Sequence, residues 1–254
     1  MGNLMALQDN ISAWIRNYAE SAGMRTLVIG ISGGIDSAVV SALCARTGLN
    51  TIAVTMPIRQ RPDLHDLSMR QGKWLGDNFD NVRHEIIDVT PVFDAFEARL
   101  NHYDNLLGMA NSRSRLRMVT LYQIAQSTQG LVVGTGNKVE DFGVGFYTKY
   151  GDGGVDISPI GDCYKTQVWQ MGRELGVLQD IIDAAPTDGL WDDGRTDQDQ
   201  LGGLTYAELE SAMRMDTGEL VTDSPSMHDI LNKYRAIRAR SLHKMNPIPV
   251  YQNI

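Results

Sequence analysis

Four short apolar runs alternate along the chain with longer segments whose apolar residues recur at helical spacing. The apolar runs cover residues 26–31, 51–56, 82–89 and 131–133, and the helical segments between them cover 38–46, 63–75 and 109–127. This alternation is typical of βαβ units, in which parallel strands are covered by helices on both faces. The pattern therefore predicts the α/β class, with a Rossmann-like three-layer sandwich around a mostly parallel sheet.

The flanking segments add helices but no membrane span. Residues 1–24 have the spacing of an amphipathic helix, and another helix is expected over 225–241. Thr205 and Glu208 have the spacing of a capping box, which predicts a helix start. The polar, aspartate-rich segment 187–203 is expected to be a loop. No apolar run approaches the roughly 20 residues that a membrane span needs, and we expect one domain over 1–254.

Composition narrows the function further. Of the 254 residues, 43% are hydrophobic and 21% are charged, as in ordinary folded proteins. The formal net charge of −8 argues against a nucleic-acid partner, because binding to phosphate backbones needs a basic face. Cys44 and Cys163 are the two cysteines and lack zinc-ligand spacing. We therefore expect a cytoplasmic protein with small-molecule ligands.

A candidate phosphate loop follows the first predicted strand. It consists of Gly30, Ile31, Ser32, Gly33, Gly34, Ile35, Asp36 and Ser37. Backbone N–H groups at such a strand-to-helix junction bind anions, yet no lysine follows the glycines as a Walker A loop requires. The carboxylate of Asp36 would repel phosphate unless a cation such as Mg²⁺ lies between them. The structural alternative is a Gly-Gly turn followed by an acidic residue that stabilises the helix start.

The sequence SGGIDS at 32–37 resembles the pyrophosphate loop of the N-type ATP pyrophosphatases. These enzymes cleave ATP between its α and β phosphates, and they include NAD, GMP, asparagine and argininosuccinate synthetases and tRNA-modifying enzymes. The resemblance implies ATP as co-substrate. It does not select the acceptor.

A second segment, 131–168, is much more specific. It contains GTGNKVE at 134–140, FYTKYGDGGVD at 146–156 and KTQV at 165–168. This segment resembles the signature of the NAD synthetases. The resemblance implies amidation of deamido-NAD to NAD through an adenylate, with release of AMP and pyrophosphate, by a homodimer.

The resemblance also implies roles for individual residues. Thr135, Lys165 and Thr187 would contact ATP together with residues 30–37, and Asp36 and Glu140 would hold Mg²⁺. The residues expected to bind deamido-NAD are Arg115, Lys149, Asp156, His243 and Lys244. Asp36, Lys165 and Asp156 are the expected catalytic residues.

Three of these roles have alternatives. Asp156 could orient the substrate or help to deprotonate ammonium. Glu140 and Asp141 beside Lys138 could form an exposed ion-pair turn worth under about 1 kcal/mol. His243 beside Lys244 could be a solvent-exposed tail residue.

Ammonia is the expected nitrogen source. Glutamine-dependent relatives carry an N-terminal nitrilase-like domain, whereas 25 residues precede the first strand here. Competing functions are GMP-synthetase-like amidation, tRNA-modifying adenylation, and nucleotide binding by a regulator without turnover.

Overall fold

The computed structural model describes residues 4–60, 62–187 and 196–253. Its sheet has four parallel strands in the order β3-β2-β1-β4. The strands are β1 (Thr26–Gly30), β2 (Asn50–Thr55), β3 (Val82–Ile86) and β4 (Gly130–Val132). All four lie within or next to the predicted runs, so the predicted parallel sheet is confirmed.

Helices occupy most of the remaining described residues. They are α1 (Leu4–Ser21), α2 (Ile35–Arg46), α3 (Pro62–Asn78), α4 (Thr90–Arg99), α5 (Leu106–Thr128), α6 (Lys165–Leu175), α7 (Gln179–Asp183), α8 (Asp197–Gln200), α9 (Tyr206–Asp216) and α10 (Pro225–Met245). A π-helical segment covers Lys138–Val144. None of the helices in the described ranges is both long and apolar enough to cross a membrane.

The central strand β1 contributes side chains to both faces of the sheet. Leu27 and Ile29 pack in one core with residues of α1, α2 and α6, whereas Val28 packs in another with Phe93 and Ala125 of α4 and α5. Successive strand side chains point to opposite faces, so both faces of this strand are apolar. The predicted three-layer arrangement is confirmed.

The strand order places two loops side by side. The chain moves outward from β1 to β2 and β3, and β4 then pairs with the other side of β1. The carboxyl ends of β1 and β4 therefore flank a topological switch point, where open α/β sheets bind ligands. The candidate phosphate loop follows β1, and the segment beginning at Gly134 follows β4.

Three segments differ from the sequence-based expectations. Strand β3 ends at Ile86 rather than at residue 89, because the Asp88 carboxylate accepts a hydrogen bond from the Thr90 backbone N–H (2.9 Å) and turns the chain into α4. The expected loop 187–203 contains α8, and its residues 188–195 lie outside the described residues. Helix α10 extends to Met245 and not only to residue 241, so His243 and Lys244 lie on the helix.

The tight approach of α3 to the phosphate loop gives a first test. Gly33 has a φ of +92°, and a Cβ there would lie 2.7 Å from the Leu64 carbonyl oxygen. Gly218 has a similar φ of +80° but nothing within 4 Å. We expect Gly218→Ala to cost about 1 kcal/mol of unfolding free energy, and Gly33→Ala to cost about 1–3 kcal/mol more because of overpacking.

Urea denaturation of the two variants and the unmutated protein measures this difference. Equal losses for Gly33→Ala and Gly218→Ala would contradict the close packing of α3 on the loop.

Candidate active site

The loop after β1 is organised by its own serine hydroxyls. Ser37 Oγ accepts the Ser32 backbone N–H (3.2 Å) and donates to the Gly34 carbonyl (3.0 Å). Gly34 is the N-cap of α2, and no side chain of the described residues caps that helix. The first N–H groups of a helix lack intrahelical partners and carry partial positive charge, so this end of α2 fits an anion.

A buried lysine lies between two largely buried carboxylates beside this loop. Lys165 Nζ is 2.5 Å from Asp36 Oδ2 and 2.8 Å from Glu140 Oε1. Lys165 is the first residue of α6 and is 2% exposed, Asp36 is in the first turn of α2, and Glu140 belongs to the π-helical segment. The cluster therefore joins three elements that are remote in sequence.

Asn137, in the loop that follows β4, links Asp36 to the backbone of the π-helical segment. Its Nδ2 donates to Asp36 Oδ1 (3.3 Å), and its Oδ1 accepts the backbone N–H groups of Val139 and Glu140 (3.0 and 3.1 Å). Asn137 is fully buried. It thereby caps the π-helical segment and orients Asp36, a role that was not predicted from the sequence.

Tyr206 supports the same cluster from α9. Its hydroxyl donates to Glu140 Oε1 (2.6 Å) and lies 3.2 Å from Asp197 Oδ2. The Lys165 ammonium lies 5.0 Å from the centre of the Tyr206 ring. A tyrosine just after a helix cap carries no sequence signal for such a role, because only the tertiary fold brings it to Glu140.

Burial and charge set the protonation of the cluster. Burial raises the pKa of Asp36 to about 6, although the Lys165 ammonium opposes this. Burial also favours a high pKa for Glu140, but Lys165 and Tyr206 hold that pKa below its usual range. For Lys165, burial disfavours the cation, yet Asp36 and Glu140 keep its pKa above the usual range. Lys165 therefore stays charged at neutral pH.

The cluster fits a magnesium ion shared with phosphate. Two carboxylates share one ammonium, which leaves one negative charge in excess when both are ionised. Mg²⁺ is typically bound through one or two carboxylates together with phosphate oxygens and water. The donor set of Asp36 and Glu140 beside an anion-binding helix start matches that preference.

A cavity of about 840 Å³ contains these groups. Predicted site residues that line it are residues 30–37, Arg115, Thr135, Glu140, Lys149, Lys165, Thr187, His243 and Lys244. The fold thus gathers most of the predicted residues around one space, large enough for small-molecule ligands.

Asp156 is the exception. It does not line the cavity, and both of its oxygens are bound by protein. Asp156 Oδ2 accepts the Val132 backbone N–H (2.7 Å), and Oδ1 accepts the Tyr122 hydroxyl (3.1 Å). In this chain Asp156 connects the end of β4 to α5, and its role with substrate stays a prediction.

The four basic residues predicted to bind substrate lie together. Arg115 Nε donates to the Lys149 carbonyl (3.2 Å), and Lys149 Nζ donates to the His243 carbonyl (3.3 Å). Lys244 Nζ donates to the Tyr147 carbonyl (2.8 Å), so its ammonium holds α10 against this segment. His243 is on α10 and not in a tail, but it is solvent-exposed, as its alternative expected.

The exposed ion-pair alternative for Glu140 is wrong. Lys138 pairs instead with Asp162 at 2.8 Å, where the Asp162 side chain is 95% exposed. Glu140 bonds Lys165 and Tyr206 in the interior.

A parallel sheet with a glycine-rich loop at its switch point and an acidic cluster beside it is an arrangement typical of nucleotide-binding α/β proteins. The NAD synthase family model matches residues 7–247, and the chain belongs to that family.

Individual relatives agree with this assignment. The NH(3)-dependent NAD(+) synthetase of Methanosarcina acetivorans is 35% identical over 255 residues, covering 96% of this chain and 96% of its own. The enzyme of the same name from Alkaliphilus metalliredigens is 41% identical over 211 residues, covering 80% of this chain and 83% of its own. The solved structure of NMN synthetase from Francisella tularensis superimposes with a TM-score of 0.88 at 31% identity, covering 100% of both chains.

Removing the buried ammonium should destabilise the fold. We expect Lys165→Met to lower the unfolding free energy by about 3–5 kcal/mol, because it leaves two buried carboxylates without their cation. Lys138→Met removes the same charge from an exposed pair and should cost at most about 1 kcal/mol.

Urea denaturation at pH 7.5 compares the two variants. If Lys165→Met loses no more stability than Lys138→Met, the cluster does not stabilise the fold in the way the geometry indicates.

Proposed function

We propose that the chain catalyses the ATP-dependent amidation of deamido-NAD to NAD with ammonia, the last step of NAD biosynthesis. The observation that carries the proposal is the Asp36–Lys165–Glu140 cluster beside a phosphate loop. A regulator that binds a nucleotide without turnover has no need of such a cluster. Membership of the NAD synthase family supports the choice of reaction.

The chemistry requires activation of the acceptor. A carboxylate does not react with ammonia at neutral pH, because its leaving group would be oxide. Attack of the nicotinate carboxylate on the α-phosphorus of ATP expels pyrophosphate and forms a mixed anhydride with AMP. Ammonia then displaces AMP and forms the amide. Positioning and neutralisation of charge supply most of the catalysis in such transfers.

Different residues of the chain would bind the phosphates, the metal ion and the acceptor. The loop 32–37 and the start of α2 bind the phosphates that leave, and Thr135 and Thr187 line the same cavity. Lys165 neutralises phosphate charge. Asp36 and Glu140 would hold Mg²⁺, which when bound neutralises phosphate oxygens. Lys149 and Arg115 bind the acceptor.

Free ammonia is the nitrogen source in this proposal. The curated relatives named above are NH(3)-dependent, and one of them aligns with this chain over 96% of its own length. The family match over 7–247 supports a single synthetase domain. GMP-synthetase-like and tRNA-modifying functions receive no such support.

A mononucleotide acceptor is the second candidate. The full-length similarity to the Francisella tularensis NMN synthetase favours it. The same adenylation and amidation would convert nicotinic acid mononucleotide to NMN. Both acceptors present the same nicotinate carboxylate, so the cluster chemistry does not separate them.

A homodimer in the cytoplasm is part of the proposal. Helix α5 exposes Leu106 (76%), Leu107 (57%) and Val119 (58%), an apolar set that a second copy would cover. Cys44 and Cys163 are buried free thiols, consistent with a reducing compartment.

Light scattering tests the homodimer. It should give twice the mass of the chain, and a monomer would contradict the dimer.

Direct assay with both acceptors tests the reaction. The protein is incubated with ATP, Mg²⁺, ammonium and either deamido-NAD or nicotinic acid mononucleotide, and the products are separated by chromatography. We expect NAD, AMP and pyrophosphate from deamido-NAD, at a higher kcat/KM than for the mononucleotide. Formation of ADP would contradict the loop assignment. A higher kcat/KM for the mononucleotide would establish the second candidate.

A charge-neutral variant tests the cluster. We expect Asp36→Asn to lower kcat at least about 100-fold, since it removes a carboxylate that orients Lys165 and Mg²⁺. Asp162→Asn makes the same change at an exposed ion pair and should stay within about threefold of the unmutated rate. Similar rates for both variants would remove Asp36 from the mechanism.

A further inference from the structure

Arg117 is a partly buried cation that the predicted site residues do not include. Its Nε donates to the Met56 carbonyl (3.0 Å), and its Nη2 donates to Gln60 Oε1 (2.8 Å). Both acceptors are neutral. Across the described part of the chain, no carboxylate forms an ion pair with this guanidinium and no acceptor bonds its Nη1.

A partly buried arginine whose hydrogen-bond acceptors are all neutral is unusual. Charged side chains are seldom buried without a partner, because the loss of hydration is expensive. Burial, with a further contribution from the Arg113 cation, lowers the pKa of Arg117 to about 10. The guanidinium is still charged at neutral pH. The Asp152 carboxylate favours this cation electrostatically but forms no ion pair with it among the described residues.

Arg117 lies at the ligand-binding end of the sheet. It lines the same cavity as the phosphate loop. A Cβ on Gly30 would lie 3.2 Å from Met56 Cε and 3.6 Å from Leu121 Cδ1. Leu121 is one turn after Arg117 on α5, and Met56 is the residue that Arg117 bonds. The guanidinium is therefore at the carboxyl ends of β1 and β2, where the loop begins.

Two other cations of the cavity have strong protein partners, although the proposed function still gives Lys165 a share in neutralising phosphate. Lys165 is paired with two carboxylates, and Lys244 donates to backbone carbonyls. Phosphate esters that enter this acidic protein need a cation with free donors. Arginine presents several N–H donors in a planar fork that matches phosphate oxygens.

We propose that Arg117 binds a phosphate group of one of the two nucleotides that occupy this cavity. The inference rests on the proposed function, which supplies ATP and a nicotinate nucleotide as ligands. Met56 and Gln60 hold the guanidinium in place before the ligand enters, which limits the entropy lost on binding. The role differs from that predicted for Arg115, which bonds the Lys149 carbonyl at the exposed rim.

Matched pairs of ligands test the proposal. Binding of AMP and adenosine, and of nicotinic acid mononucleotide and its riboside, is measured by calorimetry for the unmutated protein and for Arg117→Met. We expect the variant to bind one of the two nucleotides about tenfold or more weakly, since a charged hydrogen bond contributes about 1.5–3 kcal/mol. The corresponding nucleoside should change by less than about threefold. The pair that responds identifies which nucleotide Arg117 contacts.

Arg113→Met is the control for the loss of a positive charge that is near the cavity but does not contact a ligand. Arg113 is one turn away on α5, packs over the Phe93 ring at 5.1 Å and does not line the cavity. This variant should bind all four ligands as the unmutated protein does. If Arg117→Met does not fold by circular dichroism, Arg117→Lys replaces it, with the same selective loss expected at smaller size.

Three results would overturn the proposal: unchanged binding by the Arg117 variant, equal losses for a nucleotide and its nucleoside, or an equal loss in Arg113→Met. Each of them leaves the proposed function intact. Failure of the unmutated protein to bind AMP or the mononucleotide would overturn the proposed function as well.

Discussion

The contact of the Lys165 ammonium with Asp36 and Glu140 is the constraint on which the rest of the site depends. It joins the start of α2, the π-helical segment and the start of α6 at one point. Removing three charged groups from water is costly, and the cost is offset only when each group has well-placed partners. Asn137 and Tyr206 supply those partners. The phosphate loop and the β4 loop are consequently fixed relative to each other.

This arrangement separates two kinds of charge within one cavity. The carboxylates lie beside the helix start that we propose binds phosphate, where a divalent cation would join protein and nucleotide. Arg117 lies near the ends of β1 and β2, and Lys149 and Arg115 lie toward α10. Under the proposed function, local cations would meet each of the two anionic nucleotides, although the protein as a whole is acidic.

Much of the fold and part of the site follow from the sequence. The parallel strands are visible as apolar runs. The loop 32–37 is recognisable because its glycines and hydroxyls are consecutive in sequence and lie at a strand-to-helix junction, where backbone N–H groups bind anions. Asn137 and Tyr206 act across the fold, so local patterns do not reveal them. Helix α8 was missed because its composition is polar, although Asp197 is buried against Tyr206. Asp156 is the opposite case. It belongs to a recognisable motif, yet its carboxylate accepts a hydrogen bond from the backbone of β4.

Transfer of oxygen from the acceptor carboxylate to AMP tests the central claim of adenylation most directly. Deamido-NAD labelled with ¹⁸O in its carboxylate is converted with ATP, Mg²⁺ and ammonium, and the AMP is analysed by mass spectrometry. An attack of the carboxylate on the α-phosphorus predicts one ¹⁸O atom in the phosphate of AMP. Unlabelled AMP, with the label in pyrophosphate or in water, would contradict the account.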